Sequence, residues 1–202
     1  ALLASTMQYI VTKNPSPDYW HDSVILYLRA QNLNSQDTLD MLRLMRETNT
    51  LRLPQQYAEY AEMADARRYP VEVAAVLDEG FASGVINKTD ISFKESYNSA
   101  KGRISGIRGT WDRDEKEALS SSKGYLALLT GDAMLAGEDY ARAEQLYMAA
   151  LQRGNIIDSS GKNQNDRAAV RLGIARIKQG KYAEAKTAFN RATSSTGKDI
   201  AK

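Results

Sequence analysis

Apolar residues recur along this chain at three- and four-residue steps, and strand-like alternation is absent, so the pattern predicts helix throughout. The first run, ALLASTMQYIVTK (1–13), stops ahead of Pro15 and Pro17; Asp18-Tyr19-Trp20 then opens a second that reaches Leu28. A third carries Leu39, Leu42, Leu44 and Met45 behind Asn34 or Ser35, either of which can cap a helix N-terminus. Pro70 fits the first turn of a later helix, where its missing N–H is not needed. From Ser92 the apolar positions are Phe93, Tyr97, Ala100, Ile104, Ile107 and Trp111, a heptad seam, with Ser92 and Glu95 spaced as a capping box. The seam predicts one long helix packed along its neighbours; the alternative is an intermolecular coiled coil, which Gly102, Gly106 and Gly109 disfavour. Each glycine costs a helix about 1 kcal/mol. The three therefore predict either close approach of a neighbouring helix or a break near Gly109.

Two segments near the C-terminus repeat one another. GDAMLAGEDYARAEQLYMAAL from Gly131 aligns with GIARIKQGKYAEAKTAFNRA from Gly173. Ala133 falls on Ala175, Tyr140 on Tyr182, Ala143 on Ala185, Tyr147 on Phe189, and Ala150 on Ala192. Small residues twelve positions apart mark where two helices of a hairpin approach closely, and the aromatic one turn on fills the wedge between hairpins. The reversals are read at Gly137-Glu138-Asp139 and Gln179-Gly180-Lys181, each with a glycine to make the turn. A weaker copy lies upstream, with Ala61, Val73 and Leu77 at the corresponding places.

This pattern closely resembles the tetratricopeptide repeat, whose consensus places Gly or Ala, Tyr, Ala, Phe or Tyr, and Ala at these positions. The consensus tryptophan is missing from both copies, with Tyr125 and Ala168 nearby, and the polar loop Asn155 to Asn165 stretches the spacing beyond the family's period of about 34 residues. The resemblance implies an all-α solenoid of about ten helices with a right-handed superhelical path. It divides the chain into divergent hairpins over 1–88, a connecting helix over 89–121, and two repeats with the insertion over 122–202. The run 1–13 reads as the second helix of a hairpin whose first is missing, so the chain is expected to be part of something longer. The upstream layout, Pro17 to Trp20 and VLDEGFASG (Val76 to Gly84), also resembles exported bacterial proteins with such repeats, which implies a periplasmic or exported location and leaves the cytoplasm open.

Composition narrows the function classes. With 27 basic and 25 acidic residues well mixed and a net charge of +2, the surface is solvated rather than a footprint for nucleic acid. Arg67-Arg68 and the stretch from Lys94 through Lys101, Arg103 and Arg108 are the densest basic places, but their aromatics, Tyr97 and Trp111, belong to the seam. No run approaches the roughly 18 apolar residues that would span a bilayer, no signal peptide is read at the N-terminus, and the absence of cysteine excludes disulfide and thiol chemistry.

Catalytic constellations do not assemble. His21, beside Trp20 and between Asp18 and Asp22, is the single histidine; a general-base or metal role would need partners at spacings it lacks, so a hydrogen-bonding role is expected. The glycines of 102–109 and 154–161 follow no strand and lack the lysine-serine ending of a phosphate loop. Asp158, Asn163, Asn165 and Asp166 do not match a calcium loop. No cofactor is expected.

What remains is binding through shape, with a protein or peptide as partner. Carrying over the family's groove positions residue by residue implies Tyr125, Leu128, Asp132 and Leu135 in one repeat and Arg167, Val170, Ile174 and Lys178 in the next. Tyr57, Glu62 and Asp65 follow from the weak copy. Leu128, Leu135, Val170 and Ile174 equally fit positions packed between helices. Relatives that clamp a C-terminal carboxylate use Lys and Asn where Leu128 and Asp132 stand, so that mode is not expected. The reading is a non-enzymatic interaction scaffold; a self-assembly module or a helical accessory domain of a larger enzyme are the alternatives.

Overall fold

The computed structural model describes residues 2–154 and 156–192; Asn155 of the expected insertion and residues 193–202 of the expected last repeat lie outside them. The described residues are all-α. They form α1 (Leu2–Lys13), α2 (Pro17–Ala30), α3 (Ser35–Glu47), α4 (Pro54–Ala64), α5 (Pro70–Ser83), α6 (Ile91–Ser120), α7 (Gly124–Ala136), α8 (Tyr140–Arg153), α9 (Asn165–Lys178) and α10 (Tyr182–Phe189). None of these helices is long and apolar enough to cross a membrane. The sequence signals account for most boundaries. Ser16 caps α2 ahead of Pro17, Asn34 accepts the N–H groups of Gln36 and Asp37 at the start of α3, and Pro70 opens α5.

The start of α6 departs from expectation. Asp90, not Ser92, is the capping residue: its Oδ1 accepts the Ser92 N–H at 2.9 Å, the Phe93 N–H at 3.5 Å and the Ser92 hydroxyl. The helix then runs unbroken through all three glycines, and a methyl group built on Gly102, Gly106 or Gly109 would meet no atom within 4 Å. Among the described residues, the expected close-packed helix is therefore absent at those positions.

The chain divides into two compact units, Ala1–Ile104 and Ser105–Lys202, with the division falling between Gly102 and Gly106 of α6. In the first unit successive helices from α1 to α5 pack on one another. Leu39, Leu42, Met45, Tyr60, Val73, Val76 and Leu77 are buried there. The α4–α5 pair reverses the small-residue arrangement expected of Ala61 and Leu77. Gly80 of α5 is the close-approach residue, and an added Cβ would lie 2.7 Å from the ring of Tyr57 on α4. Phe81 meets Tyr97 of α6 edge to face, with ring centroids 5.6 Å apart.

In the second unit α7, α8, α9 and α10 pack in sequence, and α7 also touches α9. The two aligned segments pack alike at their glycines. An added Cβ on Gly131 would lie 2.8 Å from the ring of Tyr147, and on Gly173 2.3 Å from the ring of Phe189, so both positions admit hydrogen only. The reversals differ. Gly180 makes its turn at φ +74°, whereas at the aligned place Glu138 takes φ +66°, a conformation L-residues rarely adopt. Gly137 has ordinary φ, and its role is space: a Cβ there would lie 2.3 Å from the indole of Trp111. The insertion is a tight, self-bonded loop. Ile156 is fully buried beside Gly124, and Gln164 N–H donates to the Ile156 carbonyl at 2.7 Å.

Candidate functional site

One buried polar network of four residues ties each unit across three helices. In the first, the Arg43 guanidinium of α3 donates Nε and Nη2 to the two oxygens of Glu72 on α5, both at 2.7 Å, and Nη1 to Asp40 at 2.8 Å. The Tyr60 hydroxyl of α4 donates to the same Glu72 at 2.7 Å. Burial alone would raise the Glu72 carboxyl, but the charge and hydrogen bonds of Arg43 hold it below the usual carboxylate range. In the second unit Asp132 of α7 is the acceptor. Tyr147 of α8 donates to it at 2.9 Å, Arg171 of α9 lies at 2.5 Å, and Arg167 donates to its other oxygen. Burial opposes ionisation here too, and the charges of Arg171 and Arg167 overcome it, so Asp132 is held low.

That network relocates the residues implied as a groove. Leu128 and Asp132 are 0% exposed, Val170 3%, Tyr57 5% and Leu135 7%, so these five are core and present nothing to a ligand. The transferred positions were those of a concave groove, and for Leu128, Leu135 and Val170 the alternative of packing between helices is the one the burial matches. Tyr125 and Ile174 are half-buried against the same core, and Arg167 is committed to Asp132. Asp65, at φ +55° after α4, is gripped by Arg67 through bonds of 2.9–3.2 Å, and Glu62 is exposed. Lys178 is exposed with its ammonium 5.9 Å from the Tyr140 ring centre. Five of the eleven thus lie in the cores of their own units rather than on a surface.

The other sequence candidates are committed locally. His21 Nδ1 is 3.0 Å from Asp22, and its Nε2 is 3.2 Å from the amide of Gln56, whose oxygen accepts the N–H groups of Arg52 and Leu53. Asp158 is bonded by the Ser160 hydroxyl at 2.7 Å, the Lys162 and Ser160 N–H groups, and the Gln164 amide, all within its own loop. Those bonds, the Ser160 hydroxyl's first, hold its carboxyl low. Among the described residues no three potential metal ligands cluster.

An accessible recess does exist within the second unit, between the C-terminal half of α6 and α7, with a cavity of about 230 Å³. From α6 it takes Trp111, Asp114 and Glu117. From α7 it takes Leu126, Leu129, Ala133 and Met134, with Thr130 among them. The helices are fixed at this place from both ends. Gly137 admits the edge of Trp111, and the Arg153 guanidinium closes the end of α6 by donating to the carbonyls of Ala118 at 3.0 Å and Leu119 at 2.7 Å. Sequence reasoning missed the cleft, although signals existed. Asp114 and Glu117 follow Trp111 at three-residue steps, and α7 carries apolar residues on every side, more than one buried face requires.

No protein-family model, no curated protein and no solved structure matches this chain significantly.

Proposed function

We propose that this chain is a non-enzymatic scaffold, built from hairpins similar to tetratricopeptide repeats, which holds a peptide segment of a protein partner in the α6–α7 cleft. The observation that carries the reading is the cleft itself. Leu126, Leu129 and Ala133 remain partly accessible beside two carboxylates, although most of α7 is buried. Its volume of about 230 Å³ falls below the roughly 300–1,000 Å³ of small-molecule pockets and suits one or two side chains instead. The paired Gly131–Tyr147 and Gly173–Phe189 contacts support the hairpin-repeat reading.

The test is affinity capture from a native extract, with the chain and a Leu129→Glu variant side by side. Leu129 is only half-buried, so helical circular dichroism is expected to stay unchanged while a partner is lost. Equal capture by the variant removes the cleft as the site.

Self-association is a second reading, favoured by Leu2, Tyr9, Tyr19 and Leu26, which are 81%, 64%, 47% and 53% exposed on α1 and α2. Light scattering behind size exclusion decides it: a monomer at every concentration rules it out.

A further inference from the structure

We infer, resting on the scaffold reading above, that the α6–α7 cleft takes a lysine side chain of the partner peptide. The walls match a methylene stem: Leu126, Leu129 and Ala133 on α7 face Trp111 on α6 across a recess of side-chain size. The rim matches a cationic head. Glu117 is exposed, and its carboxylate has no ion-pair or hydrogen-bond partner among the described residues. Asp114, one turn earlier, is held only by its exposed neighbour Arg113 at 3.0 Å. The two other acids of this helix segment are taken, because Asp112 and Glu115 both lie against Arg142, at 2.6 and 3.5 Å. Of the cleft's two acids, Glu117 is therefore unpartnered among the described residues, and Asp114 is paired only with an exposed arginine that an incoming cation can displace.

Thr130 supplies an independent polar mark. The residue is 9% exposed and lines the cleft, yet its hydroxyl makes no hydrogen bond among the described residues. Its oxygen is not sealed from solvent, so it is open to a donor that enters the recess. An ammonium carries three donors on a flexible stem and can serve two carboxylates and a hydroxyl at once. A purely apolar side chain would leave Glu117 and Thr130 unmet, and an acidic one would be repelled by Asp114 and Glu117. Arg108 sits over the Trp111 ring at 5.8 Å and does not line the recess; among the described residues no cation lines it, and Arg113 reaches only Asp114.

The experiment titrates the isotope-labelled full chain with the peptide Ac-Ala-Leu-Lys-Leu-Ala-NH2 and its norleucine, arginine and glutamate counterparts, read by amide and indole NMR shifts. The lysine peptide is expected to shift the Trp111 indole N–H and the amides of 126–134. Its affinity should fall with added salt and drop about fivefold in Glu117→Gln, the scale of a partly exposed ion pair. Thr130→Val, which keeps the shape and removes the hydroxyl, should weaken it further while leaving the fold intact. Equal binding of the norleucine peptide, tighter binding of the arginine peptide, or shifts elsewhere in the chain overturn the lysine assignment. The scaffold reading fails separately: partner capture that survives Leu129→Glu sinks it, whereas capture lost in that variant alongside a silent lysine peptide sinks only the present inference.

Discussion

Asp132 shows how far one side chain can be committed. It is fully buried, it accepts from Tyr147, and its charge is met by Arg171, itself fully buried, and by Arg167. Replacing it leaves a buried cation uncompensated, which costs more than the pair contributes when intact. Asp132→Asn is expected to lower unfolding free energy by about 3–5 kcal/mol at neutral pH, measured by urea denaturation. The loss depends on pH in a defined direction. A carboxyl held below its unfolded value of about 3.9 stabilises the fold above that pH, and the contribution disappears as pH falls toward the folded value. The gap between native protein and variant should therefore be widest at pH 6–7 and narrow below about pH 4. A gap that stays constant down to pH 3 would mean that folding does not lower the Asp132 carboxyl, and one that widens as pH falls would mean that it is neutral in the folded state.

At the scale of the element, glycine has two opposite meanings in this chain. Gly131 faces the ring of Tyr147, which is 0% exposed and tethered through its hydroxyl, so the ring cannot retreat. Gly131→Ala should cost on the order of 1–3 kcal/mol by overpacking. Gly102, Gly106 and Gly109 face open space inside a continuous helix, where an added methyl meets nothing and the flexibility of glycine is a pure loss. Replacing all three with alanine should add about 2 kcal/mol and raise the midpoint of thermal unfolding. A triple variant no more stable than the native chain would show that those positions adopt another conformation in solution. The helix carrying Phe93, Tyr97, Ala100, Ile104, Ile107 and Trp111 was legible because its heptad spacing is local. The surroundings of the glycines within it were not, since a small residue looks the same against a neighbour or against water.

The whole molecule was legible to the extent that its information is short-range. Helical class, the proline and asparagine starts of α2, α3 and α5, and the alignment of Gly131 with Gly173 all follow from steps within a few turns. The site was not, because Asp132 reads as a surface acid until Arg167, 35 residues on, is seen to meet it, and Glu72 until Arg43, 29 residues back, is. Those two separations point in opposite directions along the chain, which bears on synthesis. A chain emerging from the ribosome has already made Arg43 when Glu72 appears, so the first unit can close its ion pair at once. Asp132 appears before either of its cations, and α7 with α8 must wait, holding a charge that cannot enter a core alone, until α9 has been made. Nascent chains stalled with Arg153 outside the exit tunnel should therefore leave α7 open to protease, and those stalled with Gln179 outside should protect it. Protection at the earlier point would mean that the hairpin closes without its counter-charge. Vectorial synthesis would then give this protein one half that folds as it is written and another that is read to the end before it can close.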